Sequence, residues 1–533
     1  MKNFANYILI IAFVSTGLQS CKTHYFRSNY KEANKLLHES NNLKTKPFLK
    51  AHLKNGHVCI LEEKWEIDTT TNVVSGWGKD YDFNRKLVFH GNINIHIDSV
   101  AIFETNKKLI NPEEGRITAL TILALFDISI GVACITAPKA CFGSCPTFYI
   151  NENDDFHYSD AEGFSNAISP SLEYFDIDAI NQKFIADQAF SITMKNEALE
   201  THCVKDVALM AYPLDSGKRV YQSPKNNFFL CENEYRISEA KTLEGDVTAL
   251  LGNNDRQEWF SLADDNNLSS KEEIFLTFEN VKSLHDLGLI LNFRQSLMTT
   301  YFIYSAIGYM GDEVSDIFAK IETRGDTYEK IDDGLKKELG NIDIYMWNAQ
   351  ENQWVLQGGF YETGPIAINR QIIPLENLGG DTPQVQIKIV LNKGLWRIDY
   401  VALTNILEEV TPIKLVPSSV IKKGVPDGIA ISELNNPDKY LISMPGDAYQ
   451  ISFTLPYENT NYELFLYSKG YYLEWMRESW IADKNLWKLK QLFDNPKKYL
   501  RNEARNYKQY EAEMEQIFWN SKIDTNTFSL HEN

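Results

Sequence analysis

Strict alternation of apolar and polar residues recurs along this chain, and it dictates sheets. Ile93, Ile95 and Ile97 fall on one side of an extended segment, with Asn92, Asn94, His96 and Asp98 on the other. Val385, Ile387, Ile389 and Leu391 repeat the pattern against Gln386, Lys388 and Val390. A period of two places one set on the core side of a strand; on a helix the same residues would scatter around the axis. Aromatic residues, 12% of the chain, suit pleated faces. The expected fold class is α+β, mainly β: β-sandwich-like modules with a helical insertion and a helical C-terminal tail. A length of 533 residues exceeds one ordinary core and implies about two to four domains. The formal net charge of −19 argues against a nucleic-acid partner, which requires a basic footprint.

The first twenty residues read as an export signal, with Lys2 ahead of the apolar run from Tyr7 to Val14. Leu18-Gln19-Ser20-Cys21 follows, and this resembles the bacterial lipobox. The resemblance implies cleavage before Cys21, lipid on Cys21 and a membrane-anchored mature chain; two or three acyl chains make such an anchor stable. Lys22 stands where an inner-membrane retention signal has Asp, and no acidic cluster follows of the kind that often marks surface-exported lipoproteins. The expected address is therefore the outer membrane, lipid-anchored at its periplasmic face.

Beyond the signal, residues 21–50 read as a tether with a helical look near Tyr30 to Leu37, and 51–110 as a small β domain. Residues 111–139 hold an apolar stretch, 117–137, long enough to cross a bilayer. Asp127 at its centre would cost roughly 2.5–3.5 kcal/mol there, and no basic cluster marks a cytoplasmic flank. A helix or helical hairpin buried against protein or lipid surface is expected instead. Residues 140–285 read as a β-rich domain, in which 190–196, 205–212, 219–221 and 227–231 are strands and 179–184 is loosely helical. A strand and helical block spans 286–340, a β-sandwich-like domain 341–467 and a helical tail 468–533. The basic residues of the tail suit docking on the acidic body.

Six cysteines remain after Cys21, an even count in an oxidising compartment. Cys141 and Cys145 flank Gly143 and could close a tight loop; Cys203 and Cys231, on strands expected to be neighbours, could staple them. The spacing of Cys141 and Cys145 also permits zinc, but no second pair of ligands follows at zinc-like spacing, so disulfides are favoured and no metal or other cofactor is assigned.

The stretch 140–178 joins the N-terminal part to the β-rich body. Strands at 147–150 and 156–158 flank an acidic turn, giving a hairpin. Cys-Phe-Gly-Ser-Cys-Pro-Thr (141–147), AlaGluGlyPheSerAsnAlaIleSerPro (161–170) and the strand pair at 194–213 resemble an uncharacterised bacterial lipoprotein family of the Bacteroidota type. That resemblance implies β-rich modules over much of 140–480 and brings no known activity.

Within 341–404, Trp347, Trp354, Tyr361 and Trp396 are binding candidates, because β modules often hold sugars on exposed rings. The opposing reading places such aromatics in the core. No nucleophile elbow, zinc-protease motif or complete phosphate loop occurs, and no catalytic residue can be chosen. The chain thus reads as a non-catalytic binding or assembly component of the envelope, with an envelope protein or a glycan as partner besides the membrane. The alternative is a secreted glycan- or peptide-acting hydrolase or a carbohydrate-binding module protein.

Overall fold

A computed structural model describes residues 23–29 and 49–108 with short interruptions, and residues 145–526 apart from 151–158, 169–172, 312–316, 318–333, 379–382, 475–482 and a few shorter stretches. The chain is mainly β, as its alternation dictates, with helices chiefly toward the C-terminus.

The N-terminal sheet holds β1 (Thr23–Asn29), β2 (Leu49–Leu53), β3 (Val58–Leu61), β4 (Glu66–Asp68), β5 (Val73–Tyr81), β6 (Leu87–His96) and β7 (Val100–Lys108). β1 falls within the stretch expected to be a tether, where it pairs antiparallel with β7. Ile93, Ile95 and Ile97 lie in a small core with Trp65 and Leu61, while Asn92, Asn94, His96 and Asp98 face solvent.

The body begins with β8 (Thr147–Tyr149), β9 (Ala161–Glu162), β10 (Tyr174–Ile185), β11 (Ala189–Lys195) and β12 (Glu200–Pro213). Next come β13 (Arg219–Gln222), β14 (Phe228–Arg236), β15 (Glu239–Thr242), β16 (Gly245–Asp246), α1 (Thr248–Leu251), β17 (Lys271–Phe278), β18 (Leu287–Gln295) and α2 (Met298–Met310). β19 (Ile342–Asn348), β20 (Gln353–Phe360), β21 (Asn369–Pro374), β22 (Val385–Asn392) and β23 (Trp396–Val410) follow. The chain closes with β24 (Ile413–Leu415), β25 (Ser419–Lys422), β26 (Val425–Pro426), α3 (Gly428–Leu434), β27 (Leu441–Ser443), β28 (Ala448–Thr454) and β29 (Thr460–Glu474), then α4 (Leu486–Asp494), α5 (Pro496–Glu511) and α6 (Met514–Asn520).

These strands build two sandwiches on one plan. The first packs a sheet of order β26-β25-β28-β11-β8-β9 on one of order β10-β29-β12-β24. The second packs β16-β15-β17-β22-β19-β20 on the closed barrel β13-β14-β23-β18-β21. Apart from β13, which closes the barrel, and β27, which pairs with β12, the orders correspond: β25 and β26 to β15 and β16, β28 to β17, β11 to β22, β29 to β18 and β12 to β23. Small details repeat too. Ser238 N donates to Thr277 O at 2.8 Å and Ser418 N to Ser452 O at 2.8 Å. Val247 N donates to Ala240 O at 2.9 Å and Asp427 N to Val420 O at 2.8 Å, each just before a short helix. The body is therefore a tandem repeat, β8–α2 followed by β19–α4. Its halves are exchanged, because each sandwich takes its first half from one repeat and its second half from the other. Residues 341–404 accordingly do not form a sandwich alone; β15, β17 and β18 complete it.

Several expectations change. Residues 179–184 are strand rather than helix, since β10 pairs with β29 along its whole length and a bulge after Ala179 absorbs the irregular pattern. The partner strand expected at 156–158 lies outside the described residues; β8 instead pairs with β9 and β11. Within the tail, where helices are expected, Pro496 separates two of them. It occupies the first turn of α5, where its missing N–H costs nothing, and Asn495 caps that helix by accepting from Lys498 N at 3.2 Å.

The tail does dock on the body. Tyr499, Leu500, Ala504, Tyr507, Met514 and Phe518 are buried in the second sandwich's core cluster. Its acidic residues fix the contact alongside its bases: Tyr301 donates to Glu503 at 2.6 Å, and Ala263 N donates to Glu511 at 2.6 Å.

Candidate functional site

The outer face of β17, β22, β19 and β20 carries an aromatic strip. Ile274, Leu276, Ile387, Ile389, Ile342 and Ile344 point into the core, so their alternates point out. Antiparallel register then aligns Phe275 with Lys388, Lys388 with Tyr345 and Tyr345 with Leu356 across four strands. One step along, Trp347 opposes Trp354. The Phe275 and Trp354 rings lie 5.9 Å apart and the Trp354 and Trp347 rings 5.3 Å apart, so three rings run together. Lys388 Nζ stands 5.0 Å from the Tyr345 ring and 5.5 Å from that of Trp354, and bonds Glu273 at 3.1 Å. Phe275 is 41% and Leu356 55% exposed; Trp347 and Trp354 are half-buried against each other.

The repeat supplies an internal control. Since Thr277 and Ser452 are equivalent, Phe275 corresponds to Gln450, which pairs with Thr193 where Phe275 pairs with Lys388. Thr193 in turn pairs with Tyr149, the counterpart of Tyr345. That tyrosine is committed elsewhere: it donates to Glu197 at 2.6 Å and receives Lys522 at 2.8 Å. The plan of the sandwich therefore does not require apolar rings on this face; among the described residues the strip belongs to the second sandwich.

Of the four aromatic candidates, Trp347 and Trp354 meet in the strip. Tyr361 is 50% exposed one residue past β20, outside the ring contacts. Trp396 is not a surface residue. It is 1% exposed, with its ring 5.9 Å from that of Phe293, because β23 is covered on both faces. The residues that sequence reading overlooked are Phe275, Tyr345, Leu356 and Lys388. The signal for Phe275 was its place between Ile274 and Leu276 in an alternating run.

The cysteines require correction. Cys203 lies on β12 in the first sandwich and Cys231 on β14 in the barrel; these strands do not pair, and both residues are thiols. Cys141 and the proposed lipid site Cys21 lie outside the described residues. Cys145 is a buried thiol that donates to Glu162 Oε1 at 2.9 Å. Burial first, then the Glu162 charge, drives that thiol well above its ordinary pKa, which removes it as a nucleophile.

Glu162 is the centre of a second cluster, closed to solvent. Its carboxylate also accepts Ile366 N at 2.7 Å and Ala367 N at 3.3 Å, while its own N–H donates to Asp178 at 2.6 Å. Burial pushes Glu162 up to about 7, against the lowering effect of the Cys145 thiol and the two amides. Asp178 is raised as well, by burial and then by the Asp176 charge. At 3% and 4% exposure Glu162 and Asp178 cannot reach a bound polymer. Among the described residues no three His, Cys, Asp or Glu side chains are grouped to hold a metal ion, and no helix is long and apolar enough to cross a membrane.

No family model matches this chain, and no curated protein does. Among solved structures, it is similar to BuGH86wt, crystallised in complex with neoagarooctaose, at 9% identity over 44% of this chain. The likeness spans 34% of that protein at a TM-score of 0.17, a level at which no shared fold is implied.

Proposed function

We propose that this protein is a non-catalytic, glycan-binding component of a bacterial envelope, lipid-anchored through Cys21 at the periplasmic face of the outer membrane. The observation that carries the binding reading is the run of Phe275, Trp354 and Trp347 on an outward face whose twin has Gln450 and Thr193 at the equivalent paired positions. Flat rings suit the apolar C–H faces of pyranose sugars, and Lys388, Glu273 and Gln386 beside them offer partners to hydroxyl groups. The closed setting of Glu162 and Asp178 removes that pair from a glycosidase role, which needs two carboxyl groups on either side of a reachable bond. Membership of the uncharacterised envelope family is part of the same proposal and rests on the Cys-Pro-Thr region.

Retention of the purified protein in gels cast with individual envelope and matrix polysaccharides tests the site. At least one glycan should retard it, and Trp354→Ala should weaken that retardation about tenfold, or ~1.4 kcal/mol. Equal retardation of the variant, or none with any glycan, would overturn the reading. Labelling of cells with a radioactive fatty acid tests the anchor: label should enter the wild type and be lost in Cys21→Ala.

A further inference from the structure

We propose that Arg370 anchors a carboxylate-binding site at one end of the closed barrel, apart from the aromatic strip. The strands β13, β14, β23, β18 and β21 have two sides. Leu289, Leu291, Val401 and Leu403 face the sandwich core, whereas Tyr221, Ile290, Ile372, Tyr400 and Ala402 form a separate cluster on the other side. Arg370 lies two residues before Ile372 and opposite Asn292, which is opposite Tyr400, so these polar groups continue the inner rows.

Charge accounting singles Arg370 out. Arg219 pairs with Glu463 through two bonds of 2.7 and 2.9 Å. Arg294 pairs with Glu258 through two bonds of 2.6 Å. Arg370 has neutral partners: Nε donates to the Asn292 side-chain oxygen at 3.1 Å, and Nη2 meets the Asn254 oxygen at 2.9 Å when that amide is oriented to suit its neighbours. Among the described residues no carboxylate lies within ion-pair distance of it. The two nearby acids are already engaged, Glu463 by Arg219 and Glu234 by the Tyr400 hydroxyl at 2.6 Å. A largely buried guanidinium without a counter-ion is costly. Burial first, and then Arg219 beside it, lower the Arg370 pKa, against the raising effect of Tyr221, Glu463 and Glu234.

The donors that remain define the ligand. With Nε on Asn292 and Nη2 on Asn254, Nη1 has no hydrogen-bond partner among the described residues, and the Nη1–Nη2 end of the fork is the one that can match the two oxygens of a carboxylate. Arg370 as a residue is not fully buried. The Tyr221 hydroxyl beside it has no hydrogen-bond partner among the described residues and stays protonated, since burial raises its pKa. Glu463 and Glu234 lie near enough to act on Arg370 but neither pairs with it, so a monoanion would give the guanidinium a direct counter-ion. A phosphate dianion would add repulsion from Glu234 and Glu463.

Calorimetric titration of the full chain with sodium glucuronate and with sodium acetate, at constant ionic strength, tests this. Both should bind saturably, glucose should not, and phosphate should bind more weakly than either. Arg370→Gln should weaken binding at least about tenfold, and Arg370→Lys, which keeps the charge but not the fork, should recover only part. If Arg370→Gln fails to fold by circular dichroism, Tyr221→Phe should still weaken glucuronate about threefold. No saturable carboxylate binding, an unchanged titration in a folded Arg370→Gln or in Tyr221→Phe, or tighter phosphate binding would overturn the proposal.

Discussion

The carboxylate of Glu162 accepts the Ile366 amide at 2.7 Å, and this bond ties the first sandwich to the second. Glu162 belongs to β9, while Ile366 sits in the loop that leads to β21 and packs in the other core. A parallel bridge between Ser159 and Ala367 runs beside it. The stretch that carries Cys145 and Glu162 is thus a joint between sandwiches, and its chemistry is that of a latch.

Gly364 makes the latch close-fitting. A Cβ at this position would meet the Glu162 carboxyl carbon at 2.0 Å. Glu162 cannot swing aside without losing Cys145, Ile366 and Ala367 together. Gly364→Ala should therefore cost about 2–3 kcal/mol in urea denaturation. Adding Glu162→Ala should cost less than the sum of the two changes, because the clash is then gone.

The same carboxyl sets a pH dependence. Glu162 titrates near 7 in the folded chain and near its ordinary value of 4.5 when unfolded. Below about 4.5 both states are protonated and its contribution is whole. As pH rises toward 7 only the unfolded state ionises, so stability falls, by roughly 3 kcal/mol at 1.36 per unit. Asp176 and Asp178, raised by burial, push in the same direction. The expected outcome is a melting temperature that drops between pH 5 and about 7.5, with a flatter profile in Glu162→Gln.

Sheet content and face assignment were legible because they depend on local alternation: Ile387 and Ile389 are inside and Lys388 outside, as period two requires. Pairing was less legible. Ala179 to Phe184 has a polar centre, Asn181-Gln182-Lys183, and only its partner strand β29 makes it extended. Trp354 and Trp396 are both strand aromatics, yet β20 ends its sheet while β23 is covered on both faces, a difference set by distant strands. The repeat left little trace beyond Val-Ala-Leu at 207–209 and again at 401–403. Because its halves are exchanged, contacts between equivalent elements lie far apart in the chain. The Cys203–Cys231 pairing failed for that reason: after β12 the chain crosses to the other sandwich.

Thiol chemistry gives a direct check on that crossing. Cys59, Cys145, Cys203 and Cys231 are buried thiols. Iodoacetamide should leave them unmodified in the native protein and alkylate all four once guanidinium is added without reductant. Mass spectrometry of the tryptic peptides reads both outcomes, and a linked 203–231 peptide would contradict the separation of β12 from β14.

The tail is held by a charge network that should behave unlike a surface ion pair. Arg294 is fully buried on β18, between Glu258 and Glu515 of α6, and Glu515 also receives Arg397 at 2.7 Å. Burial opposes the Glu515 charge, but the two guanidinium groups outweigh it and its pKa is lowered. Its contribution is therefore present at neutral pH and lost as pH falls below the ordinary carboxylate range. Arg294→Met removes both short bonds to Glu258 and leaves Glu258 and Glu515 with Arg397 alone, and should cost about 3–5 kcal/mol in urea denaturation. Glu515→Gln keeps the Arg294–Glu258 pair and should cost less, about 1–2 kcal/mol. Because α6 packs Phe518 and Met514 onto the same core, its release should expose the tail, so limited trypsin digestion should cut near Lys522 faster in both variants than in the wild type, and faster still in Arg294→Met.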